Sequence, residues 1–222
     1  MKTHSIKFNF IMNALLTISS VIFPIITFPY ISRVLGVSGS GNVAAAISTI
    51  SYFTMFASLG VPTYGIRACA KVRDDKEKLS QTVQELIIIN AVTTAVVYLA
   101  FFISLAVVPK FNAQKELLIV VSISILLNTM GIQWLYNALE QYSYITLCSL
   151  GFKFLGMVLM FAMIHSPDDY LKYGAISALS SYGSGILNFV NMRKYVSLKK
   201  NGMYDFRRHF KPLFTFFFMS AA

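Results

Sequence analysis

Long stretches without a charged residue alternate with short charged segments along this chain. Aspartate, glutamate, lysine and arginine are absent from residues 8–32, 34–66, 86–109, 117–139, 154–167 and 173–192. A bilayer core is about 30 Å thick, and a helix rising about 1.5 Å per residue crosses it with roughly 20 apolar residues. The fifth stretch reaches this length only if Lys153 lies inside the span. The pattern predicts six transmembrane helices, near 9–32, 42–65, 86–108, 117–139, 144–164 and 172–192.

Composition agrees with an all-α polytopic membrane protein. Hydrophobic residues make up 56% of the chain and charged residues 13%, against about 25% charged residues in a typical soluble domain. The first stretch is too long for the core of a signal peptide and lacks a small-residue cleavage site, so we expect it to be retained. Cys69 and Cys148 lie beside or within apolar segments, which predicts two buried small side chains rather than a disulfide framework or a metal site.

The basic residues predict the orientation of these helices. With a cytoplasmic N-terminus, 14 of the 19 lysines and arginines lie in the inner segments. They are Lys2, Lys7, Arg67, Lys71, Arg73, Lys76, Lys78, Arg193, Lys194, Lys199, Lys200, Arg207, Arg208 and Lys211. Because cytoplasmic loops carry an excess of lysine and arginine, we expect both ends of the chain on the cytoplasmic side. The basic residues flank predicted spans instead of forming one soluble face, so the net charge of +10 does not indicate nucleic-acid binding.

A further apolar run begins at Pro212 and the chain stops partway through it. Proline is favoured in the first turn of a helix, where its fixed φ suits the turn and its missing N–H costs nothing. We therefore expect residues 1–211 to form an N-terminal six-helix transmembrane lobe. Residues 212–222 are expected to be the truncated start of a seventh transmembrane helix, in the N-terminal part of a longer transporter.

Several motifs carry a resemblance to a known family. Residues 23–36 read FPIITFPYISRVLG, residues 57–67 read ASLGVPTYGIR, and residues 133–142 read QWLYNALEQY. Together with Asp168-Asp169-Tyr170-Leu171, they resemble the bacterial polysaccharide flippases, the O-antigen and capsule-repeat exporters of the multidrug/oligosaccharidyl-lipid/polysaccharide superfamily. The resemblance extends over essentially the whole chain. Such flippases have about twelve to fourteen helices in two halves, and this chain supplies one of them.

The resemblance implies a function, a location and partners. It implies a flippase in the bacterial inner (plasma) membrane that translocates a polyprenyl-diphosphate-linked oligosaccharide for surface polysaccharide biosynthesis, without a cofactor. The expected partners are this lipid-linked substrate, membrane lipid and the missing C-terminal half of the transporter. A polysaccharide polymerase is a further candidate partner. Substrate is expected to bind between the two halves.

Two cations near or within the predicted spans are candidates for a substrate cavity. Lys153 lies near the middle of its span, where a cation costs about 2.5–3.5 kcal/mol on insertion scales, so a hydrated inward position is favoured. Pairing with Glu140 or with an amide, in a purely structural role, is the alternative. Arg33 lies near the outer end of helix 1, where it either lines the cavity or snorkels to the interface. These cations could hold the diphosphate, Arg through its planar fork and Lys as a point charge.

The predicted cavity also needs groups that contact sugar hydroxyls and points at which helices bend. We assign Arg33, Lys153, Tyr64, Gln133, Trp134 and Glu140 to the cavity, with Asn90, Asn128 and Asn188 as further polar candidates. Polar side chains between membrane helices also serve as packing contacts, so these assignments stay open.

Pro24 and Pro29 each remove a backbone hydrogen bond and are expected to bend helix 1. Gly60 and Pro62 mark either a flexible exit of helix 2 or a plain helix terminus.

No motif indicates an enzyme. His4, His165 and His209 have no metal-ligand spacing, there is no glycine-rich phosphate loop, and Asp168 and Asp169 are adjacent in a short predicted outer loop.

Two other functions remain open. A cation or drug exporter of the same superfamily fold would need acidic residues within the spans, which contain almost none. A truncated, non-transporting membrane scaffold is the second alternative.

Overall fold

The computed structural model describes residues 5–199 and 203–221, apart from the side chains of Ile6, Ser220 and Ala221. Every regular element within these residues is helical, which confirms the all-α prediction. The α-helices are α1 (Ile6–Ser58), α2 (Val61–Lys71), α3 (Lys76–Val107), α4 (Pro109–Ala113), α5 (Lys115–Gly131), α6 (Gln133–Ala138), α7 (Tyr142–Met163), α8 (Tyr170–Tyr182), α9 (Ser184–Asn191) and α10 (Arg207–Ala221). Short 3₁₀ helices cover Pro167–Asp169 and Met192–Lys194.

Four helical stretches are long and apolar enough to cross a membrane. They are Lys7–Lys71, Lys76–Val107, Lys115–Ala138 and Tyr142–Met163. The predicted span at 172–192 is divided between α8 and α9, and neither part has the length of a crossing. The exact number of crossings, six followed by a seventh, therefore stays a prediction.

Helix α1 contains the predicted first span and most of the predicted second, and it is interrupted at Gly36. This residue has φ 69° and ψ 177°, a left-handed φ that glycine adopts without steric cost. The part before Gly36 packs along α7, where the Tyr30 hydroxyl donates to the Ile164 carbonyl at 2.7 Å. The part after it packs against α3 and α5, and the Thr93 hydroxyl donates to the Ala57 carbonyl at 2.7 Å. The break thus sends the two parts of α1 to different partners.

Contacts between distant residues define two ends of the helix bundle. At one end Leu35 and Ile164 belong to one buried apolar cluster, and Val43 and Leu117 belong to another. At the other end the Gln84 amide donates to the carbonyl of Ser197 at 2.6 Å. The chain runs back and forth between these ends, which correspond to the predicted outer and inner faces.

Helix α10 begins earlier than Pro212, at Arg207, and Pro212 lies inside the helix. The reason is tertiary, since the side chains of Arg208 and His209 bind Glu85 of α3 and fix the first turn. Helix α10 packs directly on the junction between α1 and α2. A Cβ atom at Gly60 would lie 2.7 Å from the Leu213 carbonyl oxygen, so only glycine allows this approach. Gly60 also has a positive φ of 71° and lies in the break between α1 and α2. The predicted helix 42–65 is therefore interrupted after Ser58.

Large apolar side chains cover much of the outer surface. In the first part of α1, Phe10 is 73% exposed and Ile25 is 65% exposed. Exposing an apolar surface of this extent to water costs free energy, whereas contact with the hydrocarbon of a bilayer does not. The exposed side chains therefore fit a membrane environment.

Candidate functional site

Lys153 of α7 is surrounded by polar atoms of α1. Its Nζ atom lies 2.8 Å from the Ser19 hydroxyl oxygen and 3.4 Å from the Leu16 carbonyl oxygen. Within the part of the chain that the structure describes, no carboxylate pairs with this ammonium group. Two neutral acceptors satisfy part of its hydrogen-bonding capacity and leave its charge uncompensated. The site can therefore attract an anionic group.

Lys153 lines a groove formed by α1, α7 and α8. Two adjoining cavities of about 200 and 400 Å³ make up this groove, and both are lined by Phe23, Pro24, Lys153, Ser180 and Ser181. Hydroxyl groups dominate its polar lining. They belong to Thr17, Ser20, Thr27, Ser149, Tyr173, Ser177, Ser180, Ser181 and Tyr182. One cation among many hydroxyls can bind an anionic group together with neutral polyols.

Pro24 contributes to the groove through the backbone as well as its ring. Proline has no N–H, so the carbonyl of Ser20, four residues earlier, loses its helical partner. Ser20 and Pro24 both line the groove, which can supply a replacement donor. Within α1 only Gly36 has non-helical dihedral angles. The dihedral angles thus remain helical at Pro24 and Pro29, and the pronounced break lies seven residues after Pro29.

A second cavity brings together most of the amides singled out from the sequence. It has a volume of about 260 Å³ and is lined by Ser58, Pro62, Thr63, Ile66, Asn90, Asn128, Ile132, Gln133, Trp134 and Asn137. Gln133 also lines the Lys153 groove, so the two sites share a side chain. Ile132 precedes it with φ 35°, a strained value for a β-branched residue, and this residue divides the predicted helix 117–139 into α5 and α6. The break positions Gln133 at the first turn of α6.

Three residues assigned to the predicted cavity lie elsewhere. Arg33 is exposed and does not line the Lys153 groove, in contrast to the single shared cavity expected from the sequence. Glu140 does not pair with Lys153, because its carboxylate binds the Arg73 guanidinium at 2.8 Å. Tyr64 lines neither cavity, and its hydroxyl lies 2.8 Å from Nδ1 of His209.

The amide of Asn188 acts between helices. Its Nδ2 atom donates to the Gly131 carbonyl at 3.0 Å, which joins α9 to the end of α5. This contact matches the packing role that the sequence left open for polar side chains between helices.

The sequence did not predict the ionic cluster around the buried Glu85, which lies at the same end of the bundle as the contact between Gln84 and Ser197. Glu85 is fully buried and contacts both Arg208 and His209. More than 120 residues separate these partners from Glu85. The sequence feature that could have indicated this cluster is the position of Glu85, which directly precedes the charge-free stretch at 86–109.

The long apolar helices define a multi-pass membrane protein, and a polar groove lies between α1, α7 and α8. The family described as "Polysaccharide biosynthesis protein" matches residues 6–221, and the chain belongs to this family. The match covers nearly every described residue, and it confirms the family resemblance drawn from the motifs.

Two curated relatives are similar to the chain. A protein described as "Putative O-antigen transporter" from Escherichia coli (strain K12) is 25% identical over 184 residues, covering 82% of this chain and 44% of the relative. A protein with the same description from Shigella dysenteriae is 21% identical over 188 residues, covering 85% of this chain and 47% of the relative. The chain thus spans about half the length of these relatives, and both are named as transporters. No solved structure matches the chain significantly.

Proposed function

We propose that this chain forms one half of a flippase that moves a polyprenyl-diphosphate-linked oligosaccharide across the bacterial inner membrane. The observation that carries the proposal is Lys153, a cation without a carboxylate partner among the described residues, in a groove lined by hydroxyl groups. Membership of a polysaccharide biosynthesis family supports the same substrate class. The names of the two relatives point to O-antigen repeat units.

The groove contains groups suited to both parts of such a substrate. A diphosphate loses hydration as it enters the membrane, and an ammonium group replaces part of that interaction. Sugar hydroxyls both donate and accept hydrogen bonds, as do the serine and threonine hydroxyls of the lining. We assign Lys153 to the anionic group, and Gln133 with the hydroxyls of α8 to the sugars.

The second cavity can extend the sugar path toward the inner end. The Oδ1 atom of Asn90 is buried and has no hydrogen-bond partner among the described residues. Buried acceptors are normally satisfied, so we expect the Asn90 amide to turn toward the cavity when a substrate hydroxyl is present to donate to it. Gln133 connects this cavity to the Lys153 groove and would contact sugars in either one.

The proposal includes an orientation and partners. The basic residues favour an N-terminus in the cytoplasm, with Lys153 reached from both sides in the course of transport. The curated relatives are about twice as long as this chain, which supports a second half that supplies the opposite wall of the path. A polysaccharide polymerase would receive the translocated repeat.

Export by the full-length transporter in cells that depend on it tests the proposal. Lys153→Ala should reduce surface polysaccharide at least tenfold at equal protein level, because the anionic group loses its charged partner. Lys153→Arg should retain more export since the charge survives, and Lys110→Ala, which removes an exposed cation from α4, should have no effect. Normal export by Lys153→Ala would contradict the proposal.

The alternative of a cation exporter finds no support in the site. The groove lining contains no acidic residue, and its one charge is positive. Glu85 is buried but is paired with Arg208, so its negative charge is already compensated.

A further inference from the structure

A further cavity lies where three membrane-length helical stretches begin or end. It has a volume of about 530 Å³ and is lined by Arg73, Asp74, Lys76, Leu79, Leu139, Lys194 and Tyr195. The stretch Lys7–Lys71 ends two residues before Arg73, and the next stretch begins at Lys76. A third stretch ends at Ala138, directly before Leu139. The cavity therefore lies at the depth where a bilayer presents its headgroups, and it shares no lining residue with the Lys153 groove or the amide-lined cavity.

The rim of this cavity carries more positive than negative charge. Arg73, Lys76 and Lys194 supply three cations, and Asp74 is the one acidic residue of the lining. Glu140 lies outside the lining and binds the Arg73 guanidinium at 2.8 Å. Among the described residues, no carboxylate pairs with Lys76 or Lys194. Even with Arg73 compensated, the two lysines outweigh Asp74, so the rim favours an anion.

The ion pair with Glu140 also positions Arg73 for a second acceptor. A guanidinium has five N–H donors, and Glu140 occupies only one of the terminal nitrogens of Arg73. The other donors have no acceptor within the part of the chain that the structure describes. A guanidinium fork matches the oxygens of a phosphate group, and a lysine ammonium binds the same group as a point charge. The rim thus offers two kinds of phosphate donor.

The deeper lining of the cavity is apolar. Leu79 and Leu139 are 1% and 2% exposed, and the half-buried Tyr195 lies beside them, whereas the charged lining residues are exposed. A small soluble anion would leave this apolar surface uncovered. The glycerol backbone and first acyl carbons of a phospholipid can cover it while the phosphate stays at the rim. We propose that this cavity binds the headgroup of an anionic phospholipid, with its phosphate among Arg73, Lys76 and Lys194.

A lipid in this cavity would contact three separate segments of the chain. They are the link between α2 and α3, the end of α6 and the 3₁₀ helix Met192–Lys194. With the predicted orientation, the site faces the cytoplasmic leaflet, whose anionic lipids attract basic segments. The site is independent of the transported substrate, so its test does not depend on transport.

Native mass spectrometry of the chain in detergent tests the site. Phosphatidylglycerol and phosphatidylcholine with the same acyl chains are added in equal amounts, so the lipids differ only in the headgroup. We expect the first bound lipid to be phosphatidylglycerol about tenfold more often, because each nearby lysine or arginine attracts an anionic headgroup. Equal binding of the two lipids would overturn the proposal.

Paired variants separate this cavity from the general charge of the same end of the bundle. Lys76→Gln combined with Lys194→Gln should lower the preference for phosphatidylglycerol at least fivefold, whereas arginine at both positions should preserve it. Lys71→Gln combined with Lys199→Gln is the control, because both lysines are exposed at this end but lie outside the lining. An equal fall in the two glutamine pairs would assign the preference to general charge and overturn the proposal.

Two further measurements test the sign of the charge effect and the source of the phosphate. Asp74→Asn removes the one negative charge of the lining and should raise the preference about twofold or more. A lower preference would contradict a phosphate at this rim. Glycerol phosphate in large excess should leave lipid binding unchanged, since it lacks acyl chains to cover Leu79 and Leu139. Displacement of phosphatidylglycerol by glycerol phosphate would indicate a site for a soluble anion and overturn the lipid assignment.

Discussion

The position of the Trp134 indole ring requires that residue 65 has no side chain, as in Gly65. A Cβ atom at this glycine would lie 2.8 Å from two carbon atoms of the indole ring, closer than real contacts allow. The backbone of α2 therefore lies directly on the ring, which is 5% exposed. This contact joins α2 to α6 beside the amide-lined cavity.

We expect Gly65→Ala to lower the free energy of unfolding by about 1–3 kcal/mol, the usual cost of overpacking a core. Gly151→Ala is the matched control, because nothing lies within 4 Å of its Cβ position on α7. Helix propensity alone would make both substitutions favourable. Trp134 is the only tryptophan, so its fluorescence during denaturation in detergent reports the contact without a label. Equal stability of the two variants would contradict the packing at Gly65.

At the residue scale, the polar surroundings of a charged side chain were easier to predict than the identity of a side chain's bonding partner. The cost of a mid-membrane ammonium predicts polar surroundings for Lys153, and the structure supplies the Ser19 hydroxyl and the Leu16 carbonyl. The partners of Tyr64 and Glu140 could not be predicted, since His209 and Arg73 are distant in sequence. A single sequence contains no signal for such tertiary pairs.

At the scale of elements, the link between α7 and α8 is stabilised by one carboxylate. Asp169 binds the Lys172 ammonium at 2.7 Å and accepts the backbone N–H groups of His165 and Ser166 at 2.9 and 3.0 Å. The ion pair with Lys172, followed by these backbone donors, lowers the pKa of the Asp169 carboxyl to about 2. The fold therefore favours the ionised form.

The sign of the pH dependence follows from this lowered pKa. The stabilising contribution of Asp169 is present above about pH 4, the ordinary range of an aspartate, and is lost as pH falls toward 2. Asp169→Asn should remove it at neutral pH and raise the hydrogen-exchange rates of the His165 and Ser166 amides several-fold. The exposed neighbour provides the control, and Asp168→Asn should leave these rates unchanged. Unchanged exchange in Asp169→Asn would show that the cap contributes nothing.

The limits of helices were harder to predict than their existence. Apolar length located the helical regions well, because a bilayer sets a minimum number of residues. The breaks at Gly36, Leu59 and Ile132 depend on backbone angles, and two of these residues are not glycine. The prolines of α1 predict a bend, and because the dihedral angles there stay in the helical range, this bend stays a prediction. Packing against α3, α5 and α7 determines where the helix is interrupted.

At the scale of the whole molecule, the distribution of basic residues predicts which end of the bundle faces the cytoplasm. In a variant without Cys69 and Cys148, an impermeant maleimide added to intact cells should label Lys110→Cys. Lys76→Cys and Lys199→Cys should react only after permeabilisation, since positive residues accumulate on the cytoplasmic side. All three positions are exposed, so accessibility within the fold does not bias the comparison. The reverse labelling pattern would invert the topology.

We expect Lys153 to lie in a water-filled groove rather than in lipid. Pairs of cysteine variants on α7 test it, because each pair samples one depth on two faces of the same helix. Met157 and Ser149 line the groove, whereas Val158 and Leu147 are exposed on the apolar surface.

In membrane vesicles of the variant without native cysteines, a small charged thiosulfonate reagent should modify Met157→Cys and Ser149→Cys at least tenfold faster than Val158→Cys and Leu147→Cys. Such a reagent reacts with the cysteine thiolate, which forms only where water reaches the sulfur. Faster modification of Val158→Cys and Leu147→Cys, or equal rates within both pairs, would show that this face of α7 is not in contact with water.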